Sequence, residues 1–170
     1  VIAANSLINS LEQPMNPQTT PAELIGEMVK NYRGQPKLQF AGDSSIYSSV
    51  HNRIHPFFQN ILTTRNYADI LLVSPSGNVV YTAQKRMDFG ANVRQEAHKA
   101  LKELHHALMQ AKQADVTGLT DMMMYEPANQ PVMFVGTPIF NDKQLAGALI
   151  LELPVTPVNA FLNLRKGMGS

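Results

Sequence analysis

Residues Tyr67–Gly90 read YADILLVSPSGNVVYTAQKRMDFG. Two apolar, β-branched runs, Ile70–Val73 and Val79–Thr82, flank Ser74-Pro75-Ser76-Gly77-Asn78. Pro presets the φ of a turn, Gly and Asn tolerate positive φ, and the flanks suit a pleated, half-buried surface. The stretch therefore predicts a β-hairpin.

Working back from it, Ile46, Val50, Ile54, Phe57, Phe58 and Ile61 recur at helical spacing. They predict a helix capped by Asp43 or Ser44, with Pro56 kinking it or splitting it in two. Before it, Thr20 as N-cap, Pro21 and Glu23 open a helix that ends near Gly34. QPMNPQTT at 13–20 is a breaker, and residues 1–12 read as another helix.

Working forward, a long helix is expected from Asn92 or Val93 to about Ala114, with Ala97, Leu101, Leu104, Leu108 and Ala111 as its buried stripe. Strand-like runs follow at Leu119–Tyr125, Val132–Phe140 and Ala146–Leu153. A last short helix is expected from Thr156-Pro157. The short connections between the last three strands predict an antiparallel meander. The fold class is α+β: a five-stranded antiparallel sheet with helices on one side and a long N-terminal helical segment.

With 170 residues the chain is long enough for one domain with a core of its own. Fourteen basic and 13 acidic residues give a net charge of +1, so nothing points to nucleic acid, which needs a basic face. The absence of cysteine excludes disulfides, thiolate catalysis and Cys-ligated metal. No P-loop, GxGxxG or nucleophile elbow is present. No catalytic residue, metal or cofactor is expected. The start, Val1-Ile2-Ala3-Ala4-Asn5, carries no Met and no basic leader. The chain is therefore expected to be a piece of a longer protein whose other segments hold any membrane span.

The order of motifs resembles the Cache domains, PAS-like extracytoplasmic sensor modules of bacterial chemoreceptors, histidine kinases and diguanylate cyclases. The resemblance is carried by His55-Pro56-Phe57, Tyr67–Val73, Gly77–Tyr81 and Asp88-Phe89-Gly90. It continues in Asp121–Pro127, Pro131–Phe134, Gly136–Ile139, Gly147–Pro154 and Val158–Phe161. It implies a sensor domain over residues 44–166, an N-terminal helical stalk over 1–43, and at 167–170 the start of a further module or an expression scar. It also implies a periplasmic setting, a homodimer through the N-terminal helices, and an unidentified small-molecule ligand. With no Trp, the chain lacks the Tyr, Arg, Trp-Tyr and Asp signature of amino-acid-binding Cache domains. An interaction or relay module without a ligand of its own is the alternative.

Candidate ligand-binding residues follow from strand alternation. Asp121, Met123 and Tyr125 share one face, offering a charge, an adaptable thioether and a phenol. Tyr81 and Lys85 share a face of the second strand, with Asp88 at the rim of the following loop beside Met87 and Phe89. Phe134 and Gly136 share a face of the fourth strand, where Gly136 leaves room for a ligand or lets a helix approach. The other reading packs Tyr125 under the turn, leaves Asp121 at a loop and solvates Lys85. His51 and His55, at i and i+4, have the spacing of a metal pair but no evident third ligand. The plainer reading has His55 packing at the kink and His51 in solvent. Of His105 and His106, one is expected at an interface and the other on the surface.

Overall fold

The computed structural model describes residues 1–95 and 99–154. In chain order the elements are helices α1 (Ile2–Glu12), α2 (Pro21–Tyr32) and α3 (Ile46–Arg65), then strands β1 (Asp69–Val73) and β2 (Val79–Thr82). Helix α4 (Lys99–Met109) follows, then strands β3 (Gly118–Leu119), β4 (Met123–Tyr125), β5 (Gln130–Asn141) and β6 (Gln144–Pro154).

The sheet order is β2-β1-β6-β5-β3, with β4 also paired to β5, and every pairing is antiparallel. The expected third strand is broken in two, because Thr120 folds back on Phe134: its backbone N–H bonds the Phe134 carbonyl and its hydroxyl accepts from the Phe134 N–H. Six strands replace the expected five. The hairpin forms as read, with Ser74 accepting from the Gly77 N–H at 2.9 Å and Gly77 at φ 93°.

Helices cover both faces, not one. Leu7, Ile8 and Leu11 of α1 join Met28, Tyr32, Tyr47, Val50 and Ile54 over one face of the sheet, against Ile70, Leu72 and Tyr81. On the other face Leu101, Leu104 and Leu108 of α4 close over Leu71, Val73, Val132, Phe134, Ala148 and Ile150. Two-sided cover is why β1 and β2 are buried at every residue and read as unbroken apolar runs. Each buried leucine of α4 contributes roughly 1.5–3 kcal/mol. Gly136 serves the helix: a Cβ there would lie 2.9 Å from Leu108 Cδ1.

Thr20 caps α2 with a capping box to Glu23, at 3.2 and 3.1 Å. The cap of α3 is Ser45 rather than Asp43 or Ser44, and Asp43 instead accepts from the Ser45 N–H. Helix α3 runs through Pro56 as one 20-residue helix. Pro56 cannot donate to the carbonyl four residues back, Asn52, and the Gln39 side-chain amide takes that carbonyl at 3.1 Å. Helix α4 ends at Met109, so Ala111 lies beyond it, and Asn92 and Val93 sit in the preceding loop. Ala97, His98 and the helix expected from Thr156 lie outside the described residues. No helix among the described residues is long and apolar enough to cross a membrane.

Candidate functional site

Strand β2 ends at Thr82, and the chain turns through Lys85 at φ 55° into a loop that packs Phe89 into the α1–α3 core and runs against the end of α2. Lys85 is therefore not a strand residue. This loop is tied to α2. The Gly34 N–H donates to the Lys85 carbonyl at 2.7 Å, and the Arg33 guanidinium donates to the Phe89 carbonyl. The Gly90 N–H returns to Val79 at 2.9 Å. These ties hold Asp88 against the sheet.

Below the loop lies a carboxylate layer. Asp69 of β1 and Glu152 of β6 are register partners on the α4 face, and Phe134 of β5 is the next partner of Glu152. Ligating oxygens of Asp69, Asp88 and Glu152 all lie within 4.8 Å of one another, and all three residues are buried. Asp69 Oδ1 accepts from the backbone N–H groups of Ile70 and Gln84, at 2.8 and 3.0 Å. Asp88 Oδ2 accepts from the Tyr125 hydroxyl at 2.8 Å. Glu152 Oε2 pairs with Arg86 at 3.1 Å. Asp69 Oδ2 and Glu152 Oε1 are buried with no hydrogen-bond partner.

Crowded carboxylates out of water hold protons. Burial, then the nearby charges of Asp88 and Glu152, push Asp69 up to about 8. Burial raises Glu152 to about 7 against the pull of Arg86. Burial and the neighbouring Asp88 also push the Tyr125 phenol well up. Tyr125 packs edge-on to Phe134, ring centroids 5.0 Å apart at 87°.

A second polar layer lies on the opposite face, under α3. His51 and His55 stack at 4.6 Å. His51 donates Nδ1–H to the Gln39 carbonyl at 2.7 Å. His55 contacts the Pro36 carbonyl through Nε2 at 2.7 Å, so that nitrogen carries the proton, and Nδ1 accepts from the Tyr81 hydroxyl at 2.7 Å. Burial, with the Lys85 charge, lowers His51 to about 3 and His55 to about 4. Both rings are thus neutral, and neither of His55's nitrogens is left for a metal. His51 is buried, not solvated.

Lys85 joins the histidine layer. Its amine lies 3.9 Å over the Tyr81 ring and 5.3 Å from the Phe89 ring centroid, and it donates to the Thr82 carbonyl. Burial drives its pKa well below the usual lysine range, with Asp69 acting the other way.

The candidate residues therefore fall into three places. Asp88, Tyr125 and Phe134 come together at the carboxylate layer. Tyr81 and Lys85 belong to the histidine layer. Asp121 and Met123 line a separate open cleft of about 450 Å³ with Lys99, Glu103, Leu104 and Leu119. Asp121 and Met87 are exposed, whereas Asp88 and Phe89 are buried rather than at a rim. Of the two adjacent histidines, His105 is buried against the Ser74 carbonyl at 2.8 Å and His106 is exposed.

Sequence reading missed Asp69, Glu152 and the Arg86 pairing. Their signal was there: a lone acid inside each of two apolar strands, ADILLV and LILELP, is costly unless it is paired or functional.

No protein-family model matches the chain. No curated protein matches it by sequence. Among solved structures it is similar to the sensor domain of the Vibrio cholerae histidine kinase DctB, with a TM-score of 0.52 at 11% identity over 64% of this chain and 39% of that one. It also matches the ligand-binding domain of the Campylobacter jejuni chemoreceptor Tlp3 in complex with 4-methylisoleucine. The TM-score there is 0.49 at 12% identity, over 90% of this chain and 56% of that one. A third match is the ligand-binding domain of the Pseudomonas fluorescens chemoreceptor CtaA in complex with L-serine, with a TM-score of 0.45 at 15% identity. The chain thus spans under two thirds of the length of these structures. The fold is that of the Cache-type, PAS-like sensor domains, as the order of motifs implies.

Proposed function

We propose that this chain is the extracytoplasmic ligand-sensing part of a bacterial transmembrane receptor and catalyses no reaction. It would bind a small molecule on the α4 face of the sheet, under the loop of residues 83–91. The observation that carries this reading is the buried contact between Tyr125 and Asp88. It joins the sheet edge to a loop whose other side is bonded to Arg33 and Gly34, at the end of α2. A ligand competing for Asp88 or Tyr125 would move that loop, and with it α2 and α1. Ligand binding then selects one of two arrangements of loop and helices, and the N-terminal helices pass the shift towards the membrane. Dimerisation through those helices fits this output.

A relay module with no ligand of its own is expected to leave Asp121, Tyr125 and Lys85 all facing solvent. Tyr125 and Lys85 are buried, which favours sensing. The test is a thermal-shift panel of amino acids, amines, carboxylates and sugars on the purified domain. A ligand at 100 times its Kd stabilises by about 2.7 kcal/mol. A panel without a single shift sinks the small-molecule reading in favour of a relay.

A further inference from the structure

We propose that Asp69, Asp88 and Glu152 form a binding site for a hard divalent cation of the calcium type. This goes beyond the sensing reading and stands whether or not an organic ligand is found.

The construction of the layer carries the inference. The three carboxylates come from separate elements, β1, the loop after β2, and β6. Each has one oxygen held from outside: Asp69 by two backbone N–H groups, Asp88 by Tyr125, and Glu152 by Arg86. Outer-shell donors of this kind orient metal-ligating carboxylates. The second oxygens of Asp69 and Glu152 are buried without a partner. Burying an unmet carboxylate oxygen is costly, and a cation in the layer removes that cost.

Size and charge agree. Oxygens at most 4.8 Å apart form a triangle whose centre lies no more than about 2.8 Å from each, within a few tenths of an ångström of calcium's 2.3–2.6 Å and further from magnesium's 2.0–2.1 Å. A cation entering the layer displaces the protons held there, and the three carboxylates so formed outnumber the two cationic side chains nearby, Arg86 on Glu152 and Lys85 turned onto Tyr81 and the Thr82 carbonyl. Net negative charge remains for a dication. All three residues are at most 1% exposed. A monatomic ion fits the gap between their oxygens, whereas an organic ammonium needs room for its carbon. Arg86, 30% exposed, marks the side from which an ion and its remaining water ligands enter.

The test is a titration of the EDTA-treated domain with calcium chloride at fixed ionic strength, read as Tm, with terbium luminescence excited through tyrosine as a direct binding signal. Calcium at 100 times its Kd is expected to raise Tm by roughly 5–10 °C. Glu152→Gln is expected to abolish the rise. Tyr125→Phe, which keeps the ring and removes only the outer donor, is expected to weaken calcium about 10–100-fold and serves if Glu152→Gln does not fold. No calcium response in the wild type overturns the proposal, as does an equal response in both variants. A rise with ammonium compounds but not with calcium also overturns it, and leaves the sensing reading intact. A calcium response with a silent organic panel supports this site while defeating the small-molecule reading.

Discussion

The two buried polar layers, one on each face of the sheet, are built to different rules. In the histidine layer nearly every polar group has a partner: Tyr47 donates to the Val80 carbonyl, Tyr32 to Ser48, Tyr81 to His55, and His55 to Pro36. His51 Nε2 alone is left over, an uncharged atom. The carboxylate layer has the same burial, but three carboxyl groups crowd one another and two of their oxygens have no partner. A satisfied network specifies a fold, while a frustrated one stores free energy that a ligand can release. On the proposed reading, the α3 face serves structure and the α4 face serves binding.

Substitutions should separate them by sign. His55→Ala opens a cavity and strands Tyr81 and the Pro36 carbonyl, so a loss of about 3 kcal/mol is expected in urea unfolding. Asp69→Asn keeps an acceptor for the Ile70 and Gln84 N–H groups and removes a charge. In EDTA-treated protein at pH 8 it should raise stability by about 1–2 kcal/mol, while abolishing any calcium response. A loss of stability there would mean the carboxylate layer is as well paired as the other.

The pH dependence splits in the same way. Asp69 and Glu152 have folded pKa values raised from 3.8 and 4.5 to about 8 and 7. Their contribution is full below about pH 4 and is lost as pH rises through 7–8. His51 and His55 are lowered from 6.5 to about 3 and 4. Theirs is present above pH 6.5 and is lost as pH falls towards 4–3. Denaturation midpoints of metal-free protein should decline towards both ends. Asp69→Asn should flatten only the alkaline limb. An unchanged alkaline limb in that variant would remove Asp69 from the account.

Smaller effects sharpen the contrast. Tyr81→Phe deletes one hydrogen bond to His55 and should cost about 1 kcal/mol without altering any ligand response. Met124→Ala, at an exposed edge position, should change stability by less than about 0.5 kcal/mol. If Asp121→Ala weakened ligand binding, the open cleft beside α4 would be the sensing site instead.

Much of this was legible in the chain. The Ser74–Asn78 turn, the capping box at Thr20 and the Leu101-Leu104-Leu108 stripe are local patterns, and they form as their spacing predicts. Alternation grouped Asp121 with Met123 and Tyr125, and it holds within β4, where Tyr125 is buried and Met124 exposed, but not for Asp121, which lies before the strand and is exposed. What was not legible depends on long-range register. Nothing within ADILLV or LILELP says that Asp69 and Glu152 become cross-strand neighbours, which required β1 to pair with β6. The split into two pieces that Pro56 allowed does not occur, and Gln39, from outside the helix, takes the carbonyl that Pro56 cannot bond. Period-2 reasoning likewise carried Lys85 onto a strand, although the chain leaves β2 at Thr82.

Amide hydrogen exchange on the domain, with and without millimolar calcium or an active compound from the thermal panel, tests the central claim most directly. The account predicts that added protection appears in residues 85–91, β1 and the end of β6, with α3 unchanged. Protection confined to α3, or to the edge at residues 118–125, would contradict it.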